Sequence, residues 1–443
     1  MVAVIAGNGL GLGNTSLTQL GQGLGSQATI GQGNVAQVVN SATGNLVLQT
    51  QDEGLVFDGL SLNVLRTYNS QGQLTGSAGW QFGFSRSIGG LTGTLDTVGS
   101  TVTRTADDGS AVVYVYNATL GAYVSSDQSG AADTLSWSAT ASSWTWNDAA
   151  ASQSETYNAS GQLTALSDTQ TGASYSFSYT SNNQLSQIVA GDGDTLVFGY
   201  NTANQLISLS IQEVPPGQTT AVTRQQVSYA YDSQGRLSTV TTLLASDTDS
   251  STASYTTTYT YSGSSDRVAS VSQTDGTTVS YSYTEDAQGV YQVTGITTGT
   301  GAAAQVLTLS YGTDSTTVTN ALGNATTYNY NAAGELTAVI APTVNGITPT
   351  TRYTYDANGN LLTSTDANGA VTSYSYDANG NLLSVEDGAG NTVSYTYNAD
   401  DQVLSQTTYT VPAQGEVGQP GYVPPAARRP PTTSITPPIS WPT

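Results

Sequence analysis

Three stretches near the end of the chain coincide when the sequence is slid against itself by 21 residues. Tyr353-Thr354-Tyr355-Asp356-Ala357-Asn358-Gly359-Asn360-Leu361 aligns with Tyr374-Ser375-Tyr376-Asp377-Ala378-Asn379-Gly380-Asn381-Leu382, and Tyr395-Thr396-Tyr397-Asn398 begins a third copy. A fixed period of this size marks a repeat architecture, in which each unit is completed by its neighbours. Taking the second aromatic of each Tyr-x-Tyr or its degenerate form, copies fall at Tyr157, Tyr179, Tyr200, Tyr231, Tyr261, Tyr283, Tyr330, Tyr355, Tyr376 and Tyr397. Phe177 and Phe198 replace the first tyrosine in two early copies and keep the aromatic character. The longest gaps hold inserts such as Val214-Pro215-Pro216-Gly217 and Pro342-Thr343-Val344-Asn345-Gly346.

Each unit has a readable interior. Asp356, Asp366, Asp377 and Asp387 are followed three residues later by Gly359, Gly369, Gly380 and Gly390. The Asn-Gly pairs among them predict tight hairpin turns with positive φ. Runs such as Val371-Thr372-Ser373-Tyr374-Ser375-Tyr376 between the turns are β-branched and aromatic, as strands are. A unit therefore reads as two strands and two turns. The predicted fold is all-β: an antiparallel β-hairpin meander with very little helix.

Composition closes most enzyme chemistries. Among 443 residues there is no cysteine or histidine, and all nine basic residues are arginine. A Ser-His-Asp or Cys-His nucleophile, a His or Cys metal centre, a Walker-type phosphate loop and a lysine Schiff base are all excluded. A net charge of −22 repels phosphate backbones and anionic membranes, so no nucleic-acid partner is expected. No stretch approaches the roughly 18 apolar residues of a membrane helix, so no membrane insertion is expected either. The first residues, Met1 to Gly7, carry no positive n-region and are too short for a signal-peptide core.

The chain divides into four parts. Residues 1–36 have nine glycines in the first thirty-three positions and read as a flexible, Gly-rich leader. Residues 37–150 are strand-like without the strict repeat and include Trp80, Trp137, Trp144 and Trp146. Trp144 and Trp146 share one face of a strand, either a packed face or an exposed sugar-stacking platform. Residues 151–410 carry the tyrosine repeat. Residues 411–443 are Pro-rich, and proline at that density cannot join a sheet ladder. A shifted reading frame over Ala427–Thr443 can encode a further tyrosine repeat, so this tail is expected to be disordered and to mark a frameshift that ended a longer repeat protein.

Tyr229-Ala230-Tyr231-Asp232-Ser233-Gln234-Gly235-Arg236-Leu237 and the copies at Tyr353 and Tyr374 resemble the YD repeats of the Rhs family, also found in insecticidal toxin-complex C proteins and teneurins. The earlier phrases Val39-Asn40-Ser41-Ala42-Thr43-Gly44-Asn45-Leu46, Leu65-Arg66-Thr67-Tyr68-Asn69-Ser70 and Gly79-Trp80-Gln81-Phe82-Gly83-Phe84-Ser85 are similar to the N-terminal region of bacterial Rhs proteins. The resemblance implies a spiralling β-sheet that closes into a hollow shell around a C-terminal toxin or other effector cargo. It assigns Tyr229, Tyr231, Asp232, Gly235, Tyr353, Tyr355, Asp356, Gly359, Tyr374, Tyr376, Asp377, Gly380, Tyr395 and Tyr397 to the structural repeat. The Asp-Pro-rich self-cleavage motif and variable effector of the family are not found here, so cargo release maps onto no residue.

The remaining chemistry is thin. Asp356-Ala357-Asn358-Gly359-Asn360 and Gly191-Asp192-Gly193-Asp194 invite a calcium reading, but no bidentate Glu follows at the spacing of a calcium loop. The carboxylate pairs Asp107–Asp108 and Asp400–Asp401 leave a glycosidase formally open, yet they sit in turn-like contexts. The expectation is no catalytic site, no cofactor and no metal. Two roles remain: a shell segment that encloses or presents cargo, or a secreted or cell-surface adhesin whose Tyr and Trp rows bind surface glycans. Either would leave the cell without a recognisable Sec signal peptide, and open sheet edges would favour self-association. The two roles differ in where the aromatic faces point.

Overall fold

The computed structural model describes residues 3–5, 29–30, 35–72, 79–107, 109, 111–126, 132–213, 222–243, 253–399, 401–409 and 432–434. The Gly-rich stretch 6–28, Asp108, the Pro-Pro insert at 214–221, Asp400 and most of the Pro-rich tail lie outside the described residues. Among the described residues the structure is β throughout, relieved by one turn of 3-10 helix at Gly301–Ala303.

Two sheets share one core. The larger is a meander of 29 strands running from Ser87–Thr92 to Thr432–Ser434, each paired antiparallel with its sequence neighbour. Its path is open, since no ladder among the described residues joins the first strand to the last. The meander begins at Ser87, well before the first tyrosine copy at Tyr157. The strands between Ser87 and Asp148 belong to the same antiparallel meander, without the regular motif spacing that makes the repeat conspicuous. The smaller sheet has six strands and is built on the hairpin Leu46–Phe57 and Leu60–Asn69, with Val35–Asn40 on one side and Trp80–Phe82 on the other. Ala3–Ile5 and Thr29–Ile30, from the Gly-rich leader, pair onto Val35–Asn40, the first of them in parallel.

The repeat motif performs two local tasks. All ten sequence-derived positions, from Tyr157 to Tyr397, sit at a β-bulge. A bulge adds one residue, bends its strand and raises local twist, so a bulge in every unit curls the sheet. The turn before each second strand is held by its first residue. Asp356 Oδ1 accepts the N–H groups of Asn358 (2.8 Å) and Asn360 (2.9 Å), and Gly359 N–H donates to Asp356 O (3.2 Å). Gly359 takes φ +84°, Gly369 +86° and Gly380 +83°, whereas the preceding asparagines keep negative φ. The turns are therefore not the two-residue mirror-image turns that Asn-Gly suggests, which need positive φ at both central residues. They are longer loops closed by one left-handed glycine.

Curvature follows from the size of what is enclosed. The small sheet touches strands from Ser174–Tyr179 to Ala325–Tyr330, thirteen in sequence. Laid flat at ~4.8 Å per strand, those would span about 60 Å, while the longest strand of the small sheet reaches about 40 Å. The meander must wrap around it. The wrap completes a turn: Gln402 Nε2, from the turn at 398–402, donates to Ala149 O (3.2 Å) and Ser152 Oγ (3.0 Å), some 250 positions earlier. Successive turns of a spiral thus meet rim to rim. At the far end, Thr432–Ser434 pairs with Gln406–Thr408 of the strand Val403–Tyr409. The Pro-rich tail therefore does contribute to the ladder, through three consecutive non-proline residues whose N–H groups are intact.

Candidate functional site

The tyrosines of the repeat point to the enclosed face. The second tyrosine of a unit reaches back to the residue that opposes the previous bulge. Tyr179 Oη donates to Leu163 O (2.7 Å), Tyr200 to Leu185 O (2.9 Å), Tyr231 to Leu206 O (2.8 Å) and Tyr261 to Leu237 O (2.6 Å). Tyr355 to Leu336 O and Tyr397 to Leu382 O, both 2.8 Å, repeat the contact near the end. Each bond gives a backbone carbonyl beside a bulge a side-chain donor. Sequence reasoning missed one member: Tyr311 donates to Val293 O (2.6 Å) and fills the long gap between Tyr283 and Tyr330. Leu309 stands there in place of the first aromatic, and Leu309-Ser310-Tyr311-Gly312 was the available signal.

The first tyrosine of a unit meets the small sheet at Tyr229, Tyr259 and Tyr281, as does Tyr175, two residues before Phe177. Tyr175 Oη donates to Leu60 O (2.8 Å), Tyr229 Oη to Asp52 Oδ2 (2.9 Å), and Tyr281 hydrogen-bonds the Gln37 side chain. Tyr259 receives Arg66 Nη1 (2.7 Å), and Arg66 in turn grips Asp52 with two bonds, Nε to Oδ2 at 2.8 Å and Nη2 to Oδ1 at 3.0 Å. Trp80 closes over this group, edge-on to Tyr259 at 4.7 Å, and its indole N–H donates to Tyr261 Oη (2.9 Å). Arg66 is 1% exposed, so burial opposes its charge, but Asp52 and the tyrosine oxygens hold it firmly protonated. Tyr68 completes the interface: its hydroxyl donates to Asp266 O (3.0 Å) and accepts Val268 N–H (2.9 Å).

A second charged cluster pins the start of the meander. Glu155 accepts from Arg86 (2.6 Å), from Arg104 (2.8 Å) and from the Tyr157 hydroxyl. Arg104 lies 3.4 Å over the Trp146 ring, whose N–H donates to Tyr114 Oη (2.8 Å). Burial pushes the Glu155 carboxyl up, but the two guanidinium groups outweigh it and leave it below the usual carboxylate range. Every Glu155 oxygen is thus engaged in holding structure. Neither cluster offers a free nucleophile, because arginine has no lone pair to give and the carboxylates are filled.

The other candidates of the sequence resolve in the same direction. Trp144 and Trp146 are buried, Trp144 against Tyr123 and Trp137, so the strand face is packed and offers no sugar-stacking platform. Asp107 pairs with Arg86 (3.1 Å) and Asp401 accepts from Asn379 (3.0 Å) and Asn381 (2.6 Å). Their neighbours Asp108 and Asp400 lie outside the described residues. Asp232 and Asp377 hold their turns as Asp356 does, with Gly235 and Gly380 left-handed. Among the described residues no helix is long and apolar enough to cross a membrane, a statement that does not bear on strands.

Fold and motif define a class before any relative is considered: a spiralling antiparallel β-repeat protein whose aromatic inner face is partly covered by its own N-terminal sheet. The RHS Repeat family model matches residues 157–195, 345–371, 355–392 and 376–416, so the chain carries RHS repeats. It is similar to a crystal structure of TcdB2-TccC3 without its hypervariable C-terminal region, at 14% identity and a TM-score of 0.36, over 84% of this chain and 20% of that one. It is also similar to a Photorhabdus luminescens Tc holotoxin pore, at 14% identity and a TM-score of 0.40, over 83% of this chain and 23% of that one. The chain therefore spans about a fifth of the length of these structures. No curated protein matches it.

Proposed function

We propose that this chain is a structural segment of an Rhs-type shell, and that its work is to enclose or present a toxin or other effector carried by a longer assembly. The single observation that supports this reading most is the direction of the tyrosines. They line the concave side of a sheet that returns on itself, and the N-terminal sheet occupies part of that side. A glycan-binding adhesin would need contiguous aromatic rows on the outer face instead. The outer face carries hydroxyl pairs such as Thr354–Thr363 (2.6 Å), Ser375–Ser384 (2.7 Å) and Thr396–Ser405 (2.7 Å). On this reading the protein is not an enzyme, its partners are toxin components, and it acts outside the cell that makes it.

The test is protection of a passenger. A protease-sensitive toxin domain placed downstream of the full shell, in the same polypeptide, is expected to be cleaved far more slowly than the same domain alone. Equal cleavage rates would contradict enclosure. Strong binding to a glycan array, with no protection, would favour the adhesin.

A further inference from the structure

The place where successive turns of the spiral meet is charged in an unusual way. The turn at 149–152 belongs to the earlier turn of the sheet, and the turn at 398–402 to the later one. Gln402 is the main hydrogen-bonding bridge between them, through Ala149 O, Ala150 O and Ser152 Oγ. Three carboxylates converge there with one cation nearby. Asp133 accepts Ala149 N–H (3.3 Å), which puts its carboxylate at the turn that follows Asp148 and that Gln402 grips, and Asp401 is the residue before Gln402 on the later turn. Arg104 is the cation that faces Asp133, and its side chain is already engaged with Glu155 and Trp146. Asp148 holds its own turn by accepting Ala151 N–H (2.7 Å), and Asp401 is held by Asn379 and Asn381.

We propose that this rim-to-rim seam is a proton-controlled latch: it is closed while Asp133 carries a proton, and loosens when Asp133 gives that proton up beside the other carboxylates of the seam. Three like charges crowded at a partly buried contact repel one another more strongly than they would in water. Opening the seam hydrates Asp133 and moves Asp401 away, so the open state favours the ionised form. Burial first, then Asp148 and Asp401, push the Asp133 carboxyl up to about 7, against the pull of Ala149 N–H and Arg104. With a raised value in the closed state, closure is fully favoured below the ordinary aspartate range, near pH 4. It weakens as pH rises towards neutrality. The arrangement would let a spiral shell tighten in an acidified compartment and relax at neutral pH.

The chain has no cysteine, so labels can be placed on the seam alone. Ala150→Cys and Ala399→Cys put one spin label on each rim, both at exposed positions. The expected result is a short, narrow distance distribution at pH 5.5 that lengthens and broadens by pH 8.5, with a midpoint near neutrality. Asp133→Asn, which keeps the acceptor for Ala149 N–H and removes the charge, should keep the short distance at both pH values. Gln402→Ala should lengthen it at both. A distribution unchanged between pH 5.5 and 8.5, or an Asp133→Asn protein that still opens with the unaltered midpoint, would overturn the proposal.

Discussion

The same motif serves two different environments in this molecule. From Tyr175 to about Tyr330 the repeat is covered by the N-terminal sheet; from Thr350 to Tyr409 it carries the same residues with nothing described against its inner face. The first tyrosines make the contrast plain: Tyr229 is 4% exposed and Tyr259 2%, while Tyr353, Tyr374 and Tyr395 are only half-buried. Turn geometry, bulges and the carbonyl bonds of the second tyrosines are nevertheless equal on both sides. The repeat therefore supplies a sheet and its curvature by itself, and the N-terminal sheet adds a core to part of it. Burial of that aromatic face is the larger source of stability, at about 1.5–3 kcal/mol for each large apolar side chain taken from water.

Arginines give the widest test of this difference. Arg66→Ala should destabilise by about 3–5 kcal/mol, because it leaves Asp52 charged and buried. Arg352→Ala, on an exposed site of the uncovered repeats, should change stability by no more than about 0.5 kcal/mol. Urea unfolding of both variants measures the two values, and equal effects would remove the distinction. Tyrosine hydroxyls come next. Tyr229→Phe loses a bond to a buried carboxylate and should cost about 1.5–3 kcal/mol, while Tyr374→Phe should cost less than about 0.5.

The pH dependence should differ in the same sense. The Glu155 carboxyl is depressed, so its stabilisation is present above the ordinary glutamate range, about 4.3, and is lost as pH falls below it. Asp356, in the uncovered repeats, is also held low: slight burial pushes it up, and the Asn360 side chain and the N–H groups of the turn outweigh that. Being exposed, it should contribute a shallower acid limb. Melting temperatures between pH 3 and 5 for Glu155→Gln and Asp356→Asn should show the larger flattening in the former. The smallest effect is one that ought not to discriminate. Tyr179→Phe and Tyr355→Phe remove the same bond to a neighbouring carbonyl, and each should cost about 0.5–1.5 kcal/mol. A marked inequality would mean that the uncovered repeats are held by something else.

Much of the repeat was legible because its instructions are local. Asp356 caps a turn four residues long, Gly359 must be left-handed there, and Tyr355 sits at a bulge opposite Leu361. All of this falls within seven residues and recurs. The positive φ at the glycines was legible, but the turn type was not, since an Asn-Gly pair suits two loops and only the backbone distinguishes them. The N-terminal sheet was not legible as a partner of the repeats. Arg66 meets Tyr259 across 193 positions and Tyr281 meets Gln37 across 244, separations at which periodicity carries no information. Leu65-Arg66-Thr67-Tyr68 showed only a charged residue inside a strand-like run. Its meaning depended on a carboxylate fourteen residues away across a hairpin and on two tyrosines of the distant repeats.

The contact between Asp52 of the N-terminal sheet and Tyr229 of the meander carries the central claim, since the two are 177 positions apart in sequence. A double-mutant cycle with Asp52→Asn and Tyr229→Phe isolates it. The expected coupling is about 1–3 kcal/mol, the worth of a hydrogen bond to a buried charge. Additive effects, with coupling below about 0.3 kcal/mol, would mean that the N-terminal sheet does not sit on the tyrosine face.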